Sequence, residues 1–528
     1  MNMIKREFNK LLALNIGSYK MVLDNQLNVR LAETFATSRL PADLYKVKVL
    51  KNGTALFKRI KSQIQDTLWV QPFEVSHFDK NNTGFYWIGY NGADTRSLYW
   101  SSFDRPDQHK LLFSPKSGIR PKLFEASAVV FHPVMHTPLV GLDAYGIPKL
   151  VALNESVKSD VEKINNIEPF GEPNVHGVSV DLNTWLVHVI TSTAFPRWYI
   201  YRHKGQPYKL FKESTVPYNN YKFKRLTSIE VRTRDNRTEQ CFMTLPTDDQ
   251  QPKSPLPLVL YVRGRQDFYP YNYRMFFLTQ LFADRGYVVL QCNHRGTIFL
   301  GKKWEYAGFG QWGRGMIYDM EDAVKWAVDR KIAHPDKVAI VGYDYGGFAA
   351  LASLSMPNNV FACGIDINGP TNLANLWHNK FEWLTMWGMF VPESYLIRSL
   401  GADPDTVEGA KFLEAQSPKA ANIDKPLLIM QSAAFSPVPR SEPDQFVSEM
   451  SRLNKSVSYV QIKDEIIRRD TFSIMEHFLQ DCLGGRAEPP SETIGQLGSG
   501  TRIIQCGDLC KLRVQRWAQF CAPCEEKS

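Results

Sequence analysis

Residues 341–348 have the frame of a turn that holds a catalytic serine, but the serine is missing. The expected motif is G-x-S-x-G, in which two small residues let the chain turn sharply between a strand and a helix. Gly342 and Gly346 fill the small positions, and Asp344 stands where the serine is expected. A carboxylate cannot replace a serine hydroxyl that is activated by a histidine base. The identity of residue 344 therefore decides the functional question.

The segments around Asp344 predict the elements that position it. Residues 338–341 form an apolar run typical of a buried strand, and residues 348–352 open a helix. From residue 256 onward such strands and helices alternate, which predicts a doubly wound, mostly parallel sheet covered on both faces. The predicted strands are 256–262, 287–291, 338–341, 363–367, 426–430 and 457–462, and the predicted helices are 273–284, 315–330 and 472–482.

The first part of the chain has the pattern of antiparallel β structure. Asn91 and Gly92 separate two aromatic-rich runs, 84–90 and 96–101, which predicts a hairpin. Further candidate pairs, among them 128–131 with 138–142 and 178–181 with 185–190, recur roughly every 45 residues, the spacing of propeller blades. A β-sandwich is the alternative that the pattern leaves open.

Composition bounds the location and the partners of this chain. Its 528 residues are enough for two or more domains, and its hydrophobic content of 44% is typical of a globular protein. The net charge of +9 is mild for this length, and we expect no nucleic-acid partner. Apolar runs of membrane-spanning length are missing, which predicts no membrane association and a cytoplasmic location by default. We expect no cofactor, and the sequence does not predict the oligomeric state.

The cysteines fall into two groups. Four lie apart in apolar contexts, which predicts buried free thiols at Cys241, Cys292, Cys363 and Cys482. The other four are close together near the end of the chain, at Cys506, Cys510, Cys521 and Cys524. Four thiolates at this spacing are a candidate zinc site, and a disordered extension with free thiols is the alternative.

The order of motifs from about residue 20 to Arg486 resembles the prolyl oligopeptidase family of serine peptidases, in its bacterial-type dipeptidyl and acylaminoacyl peptidase branch. The similarity is strongest from residue 293, where Asn-His-Arg-Gly begins, to Phe348 in the turn. It implies a β-propeller followed by an α/β-hydrolase domain. The implied domains are 1–225 (partial propeller), 226–255 (linker and first hydrolase strand), 256–486 (hydrolase) and 487–528 (linker and tail).

The propeller implied by the resemblance is short. About 220 residues allow four or five blades of ~45 residues, whereas a closed propeller of this family has about seven or eight blades. We therefore expect an incomplete propeller and a truncated N-terminus.

The resemblance also assigns the catalytic positions. The serine position holds Asp344, the position of the orienting aspartate holds Phe435, and the histidine position holds Ile467. The segment that shapes the oxyanion side is changed as well; it comprises Arg263, Gly264, Arg265 and Tyr345. All three members of the triad are replaced, which predicts that the serine-peptidase reaction is lost.

Several functional hypotheses follow. The first is an inactive pseudopeptidase that binds a peptide or protein ligand. Alternatives are a hydrolase with Asp344 as nucleophile, a serine-type oligopeptidase whose triad lies elsewhere in the chain, and a degraded gene product without a selected role. We also expect Arg263 or Arg265 to pair with Asp344 and to lower the pKa of its carboxyl group, and we expect His477 to be structural.

Overall fold

The computed structural model describes residues 19–34, 42–50, 55–63, 73–119, 129–203, 205–209, 221–247, 251–263, 277–378, 393–432, 436, 438–462, 469–488 and 501–505. Within these residues four small antiparallel sheets come first in the chain, and one nine-stranded sheet follows.

Each small sheet is built from strands in the order in which they occur in the chain. The first comprises β1 (Tyr19–Leu23), β2 (Val29–Thr34), β3 (Ala42–Val49) and β4 (Ala55–Gln63), and the second β5 (Phe73–Phe78), β6 (Gly84–Gly89), β7 (Ser97–Ser102) and β8 (His109–Phe113). The third comprises β9 (Val129–Phe131), β10 (Pro138–Asp143) and β11 (Lys149–Ala152), and the fourth β12 (Gly171–Val178), β13 (Thr184–Thr191), β14 (Arg197–Arg202) and β15 (Tyr208–Lys209). Successive antiparallel meanders, three of them with four strands and one with three, are the pattern of propeller blades, which favours the propeller over the sandwich.

Aromatic side chains hold the blades together, as the sequence indicated. Trp87 stacks on Tyr99 with ring centroids 4.6 Å apart, and Trp185 is fully buried in the fourth sheet. The predicted hairpin is confirmed between β6 and β7, where Asn91 and Gly92 both have positive φ, 44° and 81°. They are the central residues of a tight turn that is closed by a hydrogen bond from the Ala93 amide to the Tyr90 carbonyl at 2.6 Å, within the longer connection 90–96.

Two parts of the propeller differ from the prediction. The structure adds helix α1 (Lys158–Asn165) between the third and fourth sheets. Residues 179–181, predicted as strand, form a turn after β12 instead. The Asp181 carboxylate accepts hydrogen bonds from the Ser179 hydroxyl at 2.6 Å and from the Asn183 amide at 3.1 Å, so local side-chain bonding determines this turn.

The nine-stranded sheet and its helices follow. Its strands are β16 (Leu226–Arg232), β17 (Thr238–Thr244), β18 (Leu256–Val262), β19 (Val288–Asn293), β20 (Ala333–Tyr343), β21 (Cys363–Ile367), β22 (Leu427–Ser432), β23 (Val457–Ile462) and β24 (Thr501–Gln505). Its helices are α2 (Phe277–Asp284), α3 (Lys302–Tyr306), α4 (Gly315–Asp329), α5 (Tyr345–Ser355), α6 (Leu373–His378), α7 (Glu393–Leu400), α8 (Val407–Gln416), α9 (Ser441–Arg452) and α10 (Arg469–Leu483).

The strand order across the sheet is β16-β17-β19-β18-β20-β21-β22-β23-β24. The six strands from β19 to β23 are parallel, and β16, β17 and β24 add antiparallel edges. The chain runs from β18 outward to β19 and then returns to β20 on the other side of β18, so the sheet is doubly wound. This confirms the predicted fold class.

Both faces of the large sheet are covered. Along β20, Val338 and Ile340 point to the face covered by α4 and α5, whereas Ala339 and Val341 point to the face covered by α2 and α10. All four side chains are fully buried. Burial on both faces explains why these strands are continuous apolar runs in the sequence. Among the helices in the described ranges, none is long and apolar enough to cross a bilayer.

The structure corrects the prediction of free thiols. Cys241 on β17 is bonded to Cys292 on β19, and Cys363 on β21 is bonded to Cys482 on α10. The first pair is separated by 51 residues in the chain and the second by 119. Only the tertiary fold brings them together. Cys241, Cys292 and Cys363 are buried as predicted, whereas Cys482 is only partly buried.

Two stretches predicted as linkers contribute strands. Residues 226–255 supply β16 and β17, a hairpin, where one strand was expected. Residues 487–528, interpreted as a linker and tail, supply β24, which pairs antiparallel with β23 at the edge of the sheet.

The propeller contacts the carboxyl edge of the parallel strands. The Asp94 side chain, in the turn between β6 and β7, accepts a hydrogen bond from the Lys303 amide at 2.8 Å, and its main-chain carbonyl accepts one from the Lys302 amide. Tyr90 packs with Ile298 and Phe299, which follow the carboxyl end of β19. The propeller therefore lies at the edge of the sheet where β20 also ends.

Candidate functional site

The turn that carries Asp344 has the predicted geometry. Strand β20 ends at Tyr343, helix α5 begins at Tyr345, and Asp344 alone forms the corner. Its φ is 56° and its ψ is −115°, a strained conformation for a residue with a side chain. The Asp344 amide donates to the Ile367 carbonyl at 2.8 Å, and its own carbonyl accepts from the Phe348 amide at 3.0 Å. These two bonds hold the corner between the sheet and the helix.

The glycines of the motif are required by close backbone contacts. A Cβ atom at Gly342 would overlap the carbonyl oxygen of Gly346, and one at Gly346 would overlap the carbonyl oxygen of Val262. Gly347 is equally tight, since a Cβ there would overlap a carboxylate oxygen of Asp366. The corner can therefore form only with small residues at these positions.

A second acid lies beside Asp344. Asp366, on β21, is 1% exposed, and Asp344 is 4% exposed. One oxygen of the Asp366 carboxyl group accepts a hydrogen bond from the Gly369 amide at 2.8 Å. Burial, opposed by this bond and assisted by the negative charge of Asp344, raises the pKa of Asp366 well above its ordinary value. The corner thus contains two buried acids side by side, and the protonated form of Asp366 is favoured relative to a free aspartate.

Aromatic groups close the other side of the turn. Tyr345 is fully buried, and its hydroxyl donates to the Trp312 carbonyl at 3.0 Å. The His294 ring lies 5.4 Å from the Tyr345 ring, and its Nδ1 donates to the Arg295 carbonyl at 2.8 Å. Burial lowers the pKa of His294 to about 4, so this imidazole is neutral at physiological pH.

The structure places some of the predicted site residues and not others. Arg263 is half-buried and directly follows Val262, whose carbonyl contacts Gly346, so its backbone lies next to the turn. His477 is buried on α10 and its Nδ1 donates to the Ser473 carbonyl at 2.7 Å, a structural role as expected. The other predicted positions, Phe435, Ile467, Gly264, Arg265, Cys506, Cys510, Cys521 and Cys524, lie outside the described residues. The zinc site and the pairing of Asp344 with an arginine therefore stay predictions.

Sequence reasoning missed Asp366. The signal was present, because it is the one charged residue in the apolar strand from Cys363 to Ile367. An acid in a strand that is buried on both faces needs a partner or a proton. Its proximity to Asp344 depends on β21 lying next to β20, which the sequence does not specify.

Comparisons with known proteins agree with this architecture. Residues 273–482 match the Prolyl oligopeptidase family. Dipeptidyl peptidase family member 6 of Caenorhabditis elegans is 30% identical over 530 residues, which cover 92% of this chain and 67% of that protein. Dipeptidyl aminopeptidase BIII of Pseudoxanthomonas mexicana is 37% identical over 372 residues, which cover 66% of this chain and 51% of that protein. The chain thus spans about two thirds of the first relative and about half of the second.

Solved structures show the same fold. A puromycin-hydrolyzing peptidase from Mycobacterium tuberculosis superposes with a TM-score of 0.70 at 16% identity, covering 91% of this chain and 72% of that one. Dipeptidyl peptidase 4 of Porphyromonas gingivalis superposes with a TM-score of 0.62 at 16% identity, covering 89% of this chain and 65% of that one. At these identities the similarity concerns the fold, a propeller followed by an α/β-hydrolase domain.

Proposed function

Because this chain belongs to the prolyl oligopeptidase family, we propose that it is a catalytically inactive member that binds peptides without cleaving them. The observation that carries the proposal is Asp344 at the corner between β20 and α5, where a serine peptidase needs its nucleophile. The corner keeps the backbone conformation and the small residues of the turn, so the scaffold is retained while the reacting group is exchanged.

The chemistry of the exchange argues against peptide hydrolysis. A serine attacks the scissile carbonyl as its proton passes to histidine, and an aspartate orients that histidine. Asp344 has no such proton to transfer when it is ionised. At the aligned positions of the other two groups the sequence has Phe435 and Ile467. When both members of a hydrogen-bonded pair become apolar together, no polar group is left buried and unsatisfied, so the fold is preserved.

The ligand class follows from the family and from the position of the propeller. The relatives are named dipeptidyl peptidase and dipeptidyl aminopeptidase, so a peptide is the ligand class that their names indicate. In this chain the propeller contacts Lys302 and Lys303 at the carboxyl edge of the parallel strands, where Asp344 also lies. A peptide held at that edge lies between two domains, a frequent location for binding sites.

The test is activity-based labelling. The protein is incubated with a fluorophosphonate probe, and in parallel with chromogenic dipeptidyl and acylaminoacyl substrates. We expect neither labelling nor turnover above buffer. We also expect that Asp344→Ser does not restore peptidase activity. Without a histidine base and an orienting acid, the serine hydroxyl is not activated for attack. A family member that retains the serine serves as the positive control.

Three results would overturn the proposal. Labelling of any serine in the α/β-hydrolase domain would show an intact nucleophile elsewhere. Turnover by the parent chain would show catalysis directly. Rescue by Asp344→Ser alone would show that a histidine and an acid are already in place. Peptide binding is measured separately by calorimetry with unlabelled tripeptides, and a lack of heat with all of them would remove the binding half of the proposal.

A second candidate function has one observation in its favour. The carboxylate of Asp344 is held in the strained corner conformation that normally presents a nucleophile. Such a carboxylate displaces a leaving group from carbon to form an ester, and water then hydrolyses the ester. Turnover in ¹⁸O-labelled water would introduce the label into Asp344, and mass spectrometry of the peptide that contains it distinguishes this function from the inactive one.

A further inference from the structure

Within the described part of the chain, a buried glutamate next to the Cys241–Cys292 disulfide has no hydrogen-bonding partner. Glu239 is fully buried on β17, and among the described residues neither of its carboxylate oxygens has a hydrogen-bond partner. A buried polar group that lacks a hydrogen-bond partner destabilises the fold, so this carboxyl group calls for an explanation. One carboxylate oxygen and the sulfur atoms of Cys241 and Cys292 all lie within 4.8 Å of one another.

The sheet register explains this convergence. Glu239 and Cys241 are two residues apart on β17, so their side chains emerge on the same face. Cys292 on β19 lies directly opposite Cys241, with the two Cα atoms 4.0 Å apart. Two sulfurs and one carboxylate therefore converge at a single point on the sheet, beneath α4.

The surrounding charges leave the glutamate without a cation of its own. Burial raises the pKa of its carboxyl group well above the ordinary value, and Asp319 and Asp322, which face it from α4, add to this shift. Arg295 opposes them, but its guanidinium donates to the Asp319 carboxylate at 2.6 and 2.8 Å and to Asp235 at 3.0 Å. Asp322 is in turn paired with Arg234 at 2.9 Å, so the acids on α4 have cations of their own, and Glu239 is the carboxyl group of this pocket that lacks a hydrogen-bond partner among the described residues.

We propose that Glu239, Cys241 and Cys292 form a redox-gated binding site for a soft divalent cation such as Zn²⁺. The disulfide must first accept two electrons and two protons from a dithiol reductant, which is itself oxidised to a disulfide. The two new thiols then lose their protons to water as the metal binds, and Glu239 binds as carboxylate. Two thiolates and one carboxylate match the preferred zinc ligands, and water supplies the fourth position.

The site lies near one end of β17. Glu239 is the second residue of this strand and is fully buried, and the turn before the strand includes the exposed Asn236. The same turn contributes Asp235, which is paired with Arg295 and Arg237. The disulfide closes the site by joining its two sulfurs, and its reduction therefore controls metal uptake.

The experiment uses the full chain with the four C-terminal cysteines replaced by serine, namely Cys506, Cys510, Cys521 and Cys524. Co²⁺ is titrated into the oxidised and into the dithiothreitol-reduced protein, after the reductant has been removed under argon. We expect the reduced protein to bind one equivalent of Co²⁺ and to show thiolate-to-cobalt charge-transfer absorption. The oxidised protein should neither bind Co²⁺ nor show this absorption. Competition with Zn²⁺ should abolish the band.

Variants separate this site from adventitious binding. Glu239→Gln should weaken cobalt affinity at least tenfold in the reduced protein, and Cys241→Ser should remove the charge-transfer band. A Cys363→Ser/Cys482→Ser variant, which lacks the other disulfide, should still bind one equivalent.

Equal cobalt affinity in Glu239→Gln, uptake by the oxidised chain, or the same band in Cys241→Ser would each refute the site. Protection of Cys241 and Cys292 from iodoacetamide by Zn²⁺ in the parent is a second readout that needs no variant. If iodoacetamide alkylates these two cysteines of the reduced protein equally fast with and without Zn²⁺, the proposal is refuted.

Discussion

At the scale of single residues, Asp366 at the corner contributes to how the stability of the hydrolase domain depends on pH. The folded-state pKa of Asp366 lies above the unfolded value of 3.8. Its contribution to stability is therefore fully present below pH 3.8 and is lost as pH rises toward the folded pKa. We predict that Asp366→Asn stabilises the protein at pH 8 by on the order of 1 kcal/mol and that this gain disappears near pH 3.5. Thermal unfolding of both proteins across this range measures the difference.

The control for this prediction is Asp329→Asn. Asp329 is exposed and pairs with Lys325 one helical turn earlier, so its loss should change stability by no more than about 0.5 kcal/mol at either pH. A destabilisation by Asp366→Asn that is larger at pH 8 than at pH 3.5 would mean that the folded protein prefers the ionised carboxylate there.

At the scale of elements, the corner depends on backbone contacts that tolerate no side chain. We predict that Gly346→Ala destabilises the protein by at least about 3 kcal/mol, because its Cβ overlaps the Val262 carbonyl oxygen and forces β18 and α5 apart. The matched control is Gly177→Ala in the propeller, where an added Cβ meets nothing within 4 Å and the change should stay within about 0.5 kcal/mol. Urea unfolding, monitored by circular dichroism, compares the two variants. Equal urea midpoints for Gly346→Ala and Gly177→Ala would contradict the predicted overlap at Gly346.

The elements that the sequence predicted well share one property. Strands β18, β21 and β23 have the bounds that were predicted, because burial along both faces makes their sequences mainly apolar. The prediction failed where pairing partners or local side chains decide the structure. Strand β24 is stabilised by pairing with β23, and the turn at 179–181 by the Asp181 carboxylate.

The same limit applies to the candidate site. The position of Asp344 could be predicted because a strand, a turn and a helix are contiguous in the chain. Asp366 and the two disulfides could not, since each requires strand neighbours that are far apart in sequence.

At the scale of the whole molecule, the propeller and the hydrolase domain meet at Asp94. Its carboxylate accepts from the Lys303 amide, at the start of α3. We predict that Asp94→Ala speeds hydrogen exchange at the Lys303 amide at least tenfold, because this donor loses its acceptor, while amides in β20 exchange as before. Mass spectrometry of the peptide that spans α3 reports the change.

Asp94→Asn keeps an acceptor oxygen and should preserve most of the protection at Lys303. Exchange that is as fast in Asp94→Asn as in Asp94→Ala would indicate that the charge, rather than the hydrogen bond, holds the two domains at this point.

The two disulfides divide the hydrolase domain into two covalent loops, residues 241–292 and 363–482, which do not overlap. A protease that cuts inside either loop leaves its fragments joined, and under denaturing conditions the nicked chain migrates as one piece until a reductant is added. A cut between residues 293 and 362 lies outside both loops and releases two pieces at once. Asp344 is in that stretch, so one break beside it severs the covalent continuity of the sheet, whereas a break beside Tyr459 leaves it intact.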